Sequence, residues 1–264
     1  MVHEANFVSV IMNCFNGETY LREAIDSVLL QTYKNWELIF WDNQSSDRSA
    51  EIIKSYDDKR LKYFYAPKHT LLYEARNYAI EKASGEFYAF LDVDDWWITT
   101  KLEQQIPLFE DPDVGLVYGN YWTVDTIKGT QLIKYNKLLP IGMAQNDLLK
   151  KYKVGLLTIV IRKSVFDTGK NIFDSSYHII GDFDMVIRLA GEKKINAIQS
   201  PIAFFRWHHN NATKKQTKLF ITELKGWCSS IKYDNIINNN SLMHVYFLIY
   251  YLKLFLLLKY LKIK

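Results

Sequence analysis

The chain has 264 residues, 48% of them apolar, enough to bury the core of one large α/β domain or two small ones, which excludes disorder as its resting state. Its 33 Lys and Arg against 29 Asp and Glu leave a net charge of +4 with no basic stripe, so nucleic acid is not expected as a partner. Cys14 and Cys228 offer neither zinc spacing nor a disulfide framework, and the opening MVHEANFVSVIMNCF lacks a basic segment before a long apolar one; both fit a cytoplasmic protein.

The first hundred residues alternate short apolar runs with helix-period segments. Phe7 to Met12 reads as a buried strand. Thr19 to Gln31 reads as a helix, because Leu21, Ala24, Ile25, Val28 and Leu29 recur at spacings that form one apolar stripe. Trp36 to Trp41 is a second strand, followed by the polar turn Asp42 to Ser49, where Ser46 and Asp47 are candidate caps for a helix from Ala50 to Tyr56. Strand Leu61 to Tyr65, helix Leu72 to Ala83 and strand Phe87 to Leu91 complete the series.

Strands separated by helices imply right-handed crossovers and a mainly parallel sheet, which binds ligands beyond its carboxyl ends. The polar clusters Asn13 to Glu18, Asp42 to Asp47 and Asp92 to Asp95 all fall at such ends, so topology predicts one shared rim. After Asp95 the pattern loosens. A helix from Lys101 to Phe109, a strand from Gly115 to Thr123, a turn at Lys128-Gly129-Thr130, a buried strand from Leu156 to Ile161, a helix from Phe183 to Ala190 and a strand from Ile202 to Trp207 predict a mixed sheet. The expected division is a domain over 1–213, with a nucleotide-binding half (1–98) and an acceptor half (99–213), followed by a helical tail over 214–264.

In that tail, Asn235 to Asn240 reads as a linker and Leu242 to Leu258 is almost wholly apolar, with Lys259, Lys262 and Lys264 after it. At roughly 17 residues it is at the short limit for a membrane span; a helix lying in the interface with snorkelling lysines fits better, and packing on the domain or on a second copy is the alternative. Residues 242–264 are therefore expected to touch a membrane surface, placing the protein at the inner face of the cytoplasmic membrane.

Leu91-Asp92-Val93-Asp94-Asp95 sets acidic side chains directly after a buried strand, where they call for a counter-charge. A hard divalent ion such as Mg2+ or Mn2+, shared with a substrate's phosphates, meets that need; a solvated helix cap is the plainer alternative. Asp182 and Asp184 form a second acidic site at a helix start, and Phe205-Arg206-Trp207-His208-His209 joins a cation, an indole and two imidazoles.

Val8 to Met12 with Asn16, Asp42-Asn43-Gln44-Ser45-Ser46-Asp47, Ala75-Arg76-Asn77 and Asp92-Val93-Asp94-Asp95, in that order, resemble family 2 glycosyltransferases of the GT-A fold. The resemblance covers about 7–125, resumes at 181–189 and 205–208, and does not reach the tail. It implies a mixed, mainly parallel α/β sheet flanked by helices and an inverting hexosyltransferase using a nucleotide-diphosphate sugar, with UDP as the expected carrier. Phe15, Asn16, Glu18, Asp42, Asn43, Arg76, Asp92, Val93 and Asp94 would contact the nucleotide sugar. Asp94, with Asp92 or Asp95 and with His208, would hold Mn2+ or Mg2+, and Asp182 would be the base that deprotonates an acceptor on a cell-surface glycan or lipid-linked saccharide. Asn43 and Gln44 depart from the family's usual Asp and Gly, which leaves the choice of base open. Gly181 stands where many members carry Glu. Two other classes stay open: a non-catalytic nucleotide-sugar-binding member of a membrane complex, and a nucleotidyltransferase.

Overall fold

A computed structural model describes residues 6–166, 171–208, 216–234 and 239–260. His209, the 213/214 boundary, residues 235–238 and the terminal Lys262 and Lys264 lie outside them. The series expected at the start is present: β1 (Val8–Cys14), α1 (Leu21–Leu29), β2 (Trp36–Asp42), α2 (Ser49–Lys54), β3 (Leu61–Tyr65), α3 (Leu72–Glu81) and β4 (Phe87–Phe90). Their order in the sheet is β3-β2-β1-β4, all parallel, with Cys14 level with Asp42. Parallel crossovers need both faces covered, and alternation along β1 supplies this: Val8, Val10 and Met12 pack toward α1 and α2, while Ile11 packs toward α3.

The second half adds β5 (Trp96–Trp97), α4 (Lys101–Gln105), β6 (Val114–Asp125), β7 (Thr130–Ile133), α5 (Gln145–Lys150), β8 (Val160–Arg162), α6 (Gly181–Glu192), β9 (Lys194–Trp207), α7 (Thr217–Asp234) and α8 (Asn239–Tyr260). Here the sheet becomes mixed. β8 lies antiparallel between β4 and β6, β6 and β9 run parallel over most of their length, and β5 pairs antiparallel with the end of β9. The fold is thus the mixed, mainly parallel α/β sheet expected.

Some local expectations differ. Leu156 to Ile161 is not one strand: Leu156–Thr158 forms a 3-10 turn, closed by Thr158 Oγ1 donating to the Gly155 carbonyl at 2.7 Å, before β8 begins. Pro107 likewise ends α4 in 3-10 geometry over Ile106–Phe109. The α8 helix begins at Asn239, inside the expected linker. Leu242, Val245 and Ile249 of α8 join the core, whereas Met243, Phe247, Tyr250 and Tyr251 are each more than half exposed. No helix among the described residues is long and apolar enough to cross a membrane.

Candidate active site

The rim of the sheet is built by two loops bonded to each other. Asn16 sits in the left-handed region (φ 56°), where its Oδ1 accepts the Ser46 amide at 2.8 Å and its own amide donates to Ser45 Oγ at 3.0 Å. The Glu18 amide donates to Asp47 Oδ2, and Glu18 Oε2 accepts the Arg48 amide, each at 2.9 Å. Asn16 and Glu18 therefore shape the rim through loop-to-loop bonds. A side chain at Gly17 would meet Val93 Cγ2 at 2.8 Å, so the bare backbone there lets Val93 abut the first loop.

Asp42 is fully buried and uses both oxygens inside the protein, accepting the Ser45 amide at 2.7 Å and the Tyr63 hydroxyl at 2.9 Å. The Asn43 amide bridges to Thr70, donating to its carbonyl at 2.8 Å and accepting its N–H at 3.1 Å. These bonds hold both side chains inside the rim. Phe15 is different. Its ring is 53% exposed, 4.4 Å from that of His69, and offers an apolar face at the rim.

The acidic cluster separates in three directions. Asp92 Oδ1 accepts from the buried Arg76 guanidinium at 2.5 Å. Asp94 Oδ2 lies 2.9 Å from His208 Nε2, a contact made possible because β9 pairs with β5 and so returns residues 204–208 to the loop after β4. Asp95 is buried, with Oδ1 accepting the Arg206 amide at 2.8 Å. The Arg206 side chain donates to the Asp94 carbonyl, pairs with Glu23, and lies between the rings of Tyr20 and Trp96 at 4.3 Å from each. Expected as a metal ligand, Asp95 is instead held inward by this packing. Among the described residues, no three His, Cys, Asp or Glu side chains converge on a cation site.

Burial, then repulsion from Asp94 and Asp92, pushes the Asp95 carboxyl well above the usual carboxylate range, against the pull of Arg206. A carboxyl raised on folding stabilises the fold at low pH and loses that contribution as pH rises through its folded value. Asp95→Asn keeps an oxygen for the Arg206 amide, so we expect its melting temperature to exceed that of the wild type by a margin that grows from pH 5 to pH 8, as followed by circular dichroism.

Asp182 lies in the first turn of α6, with Oδ1 3.0 Å from the Tyr73 hydroxyl, whose single proton is shared between this carboxylate and the Ile179 carbonyl at 2.7 Å. Burial raises its carboxyl; Arg76, Tyr73 and nearby amides pull it back only in part. The helix start lowers its basicity through the amides of Phe183 and Asp182, against the larger effect of burial; Glu223 of α7 braces the turn before the helix, accepting the amides of His178, Ile179 and Ile180 at 2.7, 3.0 and 3.1 Å. A Cβ at Gly181 would lie 2.7 Å from the Tyr73 ring, so this departure from Glu makes room for the tyrosine that holds Asp182. Asp184, the other acid of this site, is occupied: it accepts from Trp227 Nε1 at 3.0 Å and Arg188 Nε at 2.9 Å. Arg76 links the two acidic sites, since its charge acts on both Asp92 and Asp182.

Sequence reasoning missed Tyr73 and Glu223. Tyr73 was findable, three residues before Arg76 and thus on the same face of α3; Glu223 carries no local signal. Trp97 and Tyr118 belong to the core: Trp97 donates to the Leu157 carbonyl and Tyr118 to the Pro140 carbonyl.

A parallel half-sheet with acidic loops at its carboxyl rim, extended by a mixed half that carries a second acid, defines the GT-A class of nucleotide-sugar-dependent transferase folds. The model of the family "Glycosyl transferase family 2" matches residues 9–167, more than half of the chain, and the chain belongs to that family. It is 34% identical over 196 residues to the UDP-Glc:alpha-D-GlcNAc-diphosphoundecaprenol beta-1,3-glucosyltransferase WfgD of Escherichia coli, an alignment taking in 72% of each protein. The fold matches a crystal structure of S. aureus TarS 1-349 in complex with UDP-GlcNAc, with a TM-score of 0.68 at 15% identity over 90% of this chain and 70% of that one. It also matches the mannosyltransferase PcManGT from Pyrobaculum calidifontis in complex with GDP-Man and Mn2+, with a TM-score of 0.65 at 14% identity over 85% of this chain and 64% of that one.

Proposed function

We propose that the protein is an inverting hexosyltransferase that moves a sugar from a UDP-sugar to an acceptor hydroxyl of a cell-surface glycan or lipid-linked saccharide. The observation that carries this reading is the buried Arg76, which pairs with Asp92 and whose charge acts on Asp182; in this reading Asp92 serves the leaving group and Asp182 the acceptor. Asp182 takes the acceptor proton as that oxygen forms a bond to the anomeric carbon. The bond from that carbon to the diphosphate breaks, and its electron pair leaves with the nucleoside diphosphate. Arg76 keeps Asp92 in place, and Tyr73 fixes the orientation of the base. Phe15 covers the nucleoside at the rim.

Asp94 and His208 fit a divalent ion to the extent of two adjoining donors, an oxygen and a nitrogen, with substrate phosphates and water completing the shell. When bound, Mn2+ or Mg2+ would neutralise charge on the departing diphosphate. The exposed apolar side of α8 supports peripheral contact with a membrane surface, and the E. coli relative's lipid-linked substrate, as its name gives it, is consistent with that location.

The test is release of UDP from a panel of UDP-sugars, with and without Mn2+ and with EDTA. We expect Mn2+-dependent release from one donor, slow with water and accelerated by an acceptor saccharide. Binding of the nucleotide sugar without release would support a non-catalytic protein instead, and undiminished release in EDTA would remove the metal from the proposal.

A further inference from the structure

The loops that follow β2 and β3 lie side by side, because parallel pairing sets Asp42 level with Tyr65. Both residues at which the first loop departs from the family's usual Asp and Gly fasten it to the second. Asn43 donates through Nδ2 to the Thr70 carbonyl at 2.8 Å and accepts the Thr70 N–H at 3.1 Å, a pair of bonds closed to a carboxylate, which only accepts. Gln44, in the left-handed region (φ 68°), donates through Nε2 to the Ala66 carbonyl at 3.3 Å, a bond for which glycine has no side chain. Between these two anchor points stands His69, exposed at the rim.

Asn43 also fixes the state of that imidazole. Its backbone carbonyl lies 2.8 Å from His69 Nδ1, and a carbonyl oxygen can only accept, so Nδ1 carries the proton. In the neutral ring Nε2 is then a bare acceptor, turned away from Asn43, and it makes no hydrogen bond among the described residues. The ring centres of His69 and Phe15 are 4.4 Å apart with their planes at 54°, so the two rings form adjoining walls of a corner.

We propose that His69 selects the base of the donor: with the base laid against Phe15, His69 Nε2 accepts the imide N–H of uracil. Cytosine and adenine present a ring-nitrogen lone pair at the corresponding edge and would meet Nε2 acceptor to acceptor. Asn43 and Gln44 act through His69, as positioning residues. The assignment rests on the reading that Phe15 covers the nucleoside, and adds to it the residue that discriminates between bases.

The test is isothermal titration calorimetry of UDP, CDP, ADP and GDP with the full chain and Mn2+ at pH 8. The wild type should bind UDP about tenfold more tightly than CDP or ADP, the effect of one hydrogen bond gained against one repulsive contact. His69→Phe keeps a ring against Phe15 but has no acceptor, so UDP should weaken about tenfold while CDP holds, erasing the preference. His69→Gln, whose Oε1 can accept, should recover part of it. Because His69 is exposed, both variants should fold, which circular dichroism would verify. A UDP preference that survives intact in His69→Phe would overturn His69 as the discriminating residue and leave the UDP-sugar reading standing. GDP bound more tightly than UDP, and weakened by the same variant, would support His69, since guanine also offers a ring N–H at that edge, and would overturn UDP as the carrier.

Discussion

Asp182→Asn is expected to lower sugar transfer by about 10²- to 10⁴-fold, the usual contribution of a positioned general base, while leaving the dissociation constant for the nucleotide sugar unchanged. Asparagine has nearly the same shape, and its Oδ1 can still accept the Tyr73 hydroxyl now 3.0 Å from Asp182, so the first turn of α6 should persist. What it cannot do is take a proton. Because burial raises the wild-type carboxyl, the acid limb of the pH-rate profile should lie above the ordinary Asp value of about 4, with activity rising as the carboxylate forms. Stopped assays from pH 4.5 to 8.5 would detect this limb in the wild type. A variant that keeps wild-type turnover would exclude Asp182 from proton transfer.

Arg76→Ala should cost roughly 3 kcal/mol of stability, the lower end of the range for removing one partner of a buried ion pair, because Asp92 itself reaches water. For a chain of this size that is about 6–12 °C in Tm. Part of the loss is packing, since the guanidinium lies 5.4 Å from the centre of the Tyr73 ring and 5.9 Å from that of Phe173. Arg76→Met should restore much of the stability by refilling that space. It should not restore activity. Without the guanidinium, Asp92 loses its anchor and Asp182 loses the charge that most lowers its pKa, so the acid limb should move to higher pH in both variants. Chemical denaturation and pH-rate profiles separate the two effects, and an unmoved limb would break the proposed link between the acidic sites.

Much of the fold was legible where local chemistry and tertiary packing agree. Val8 to Met12, Trp36 to Trp41 and Phe87 to Leu91 are apolar runs because those strands are buried on both faces, and helix-period segments between them leave little choice of topology. The second half was harder because its pairing is non-local. Trp96 and Trp97 become a strand only because β9 returns alongside them, and that return is also what brings His208 to Asp94 and Arg206 to Asp95.

The candidate site shows the same division. Residue type and order mark Asp42, Arg76, Asp92, Asp94 and Asp182, but not the direction in which each points. Asp42 looks like a ligand contact in sequence and in the fold joins Ser45 and Tyr63; Asp95 looks interchangeable with Asp94 and in the fold faces Arg206. Helix α7 carries apolar residues at helical spacing, Ile221, Leu224, Trp227 and Ile231, yet nothing in that pattern says that Glu223 braces the turn before α6 or that Trp227 bonds Asp184.

The proposed single displacement has one stereochemical consequence, which tests it most directly. With an α-linked UDP-sugar donor, proton NMR of the product formed in the first turnovers should show only the β-linked sugar, with UDP released in equal amount. An α-linked product would contradict a single displacement assisted by one base, and would call for a double displacement with a nucleophilic residue on the face of the sugar now assigned to Asp182.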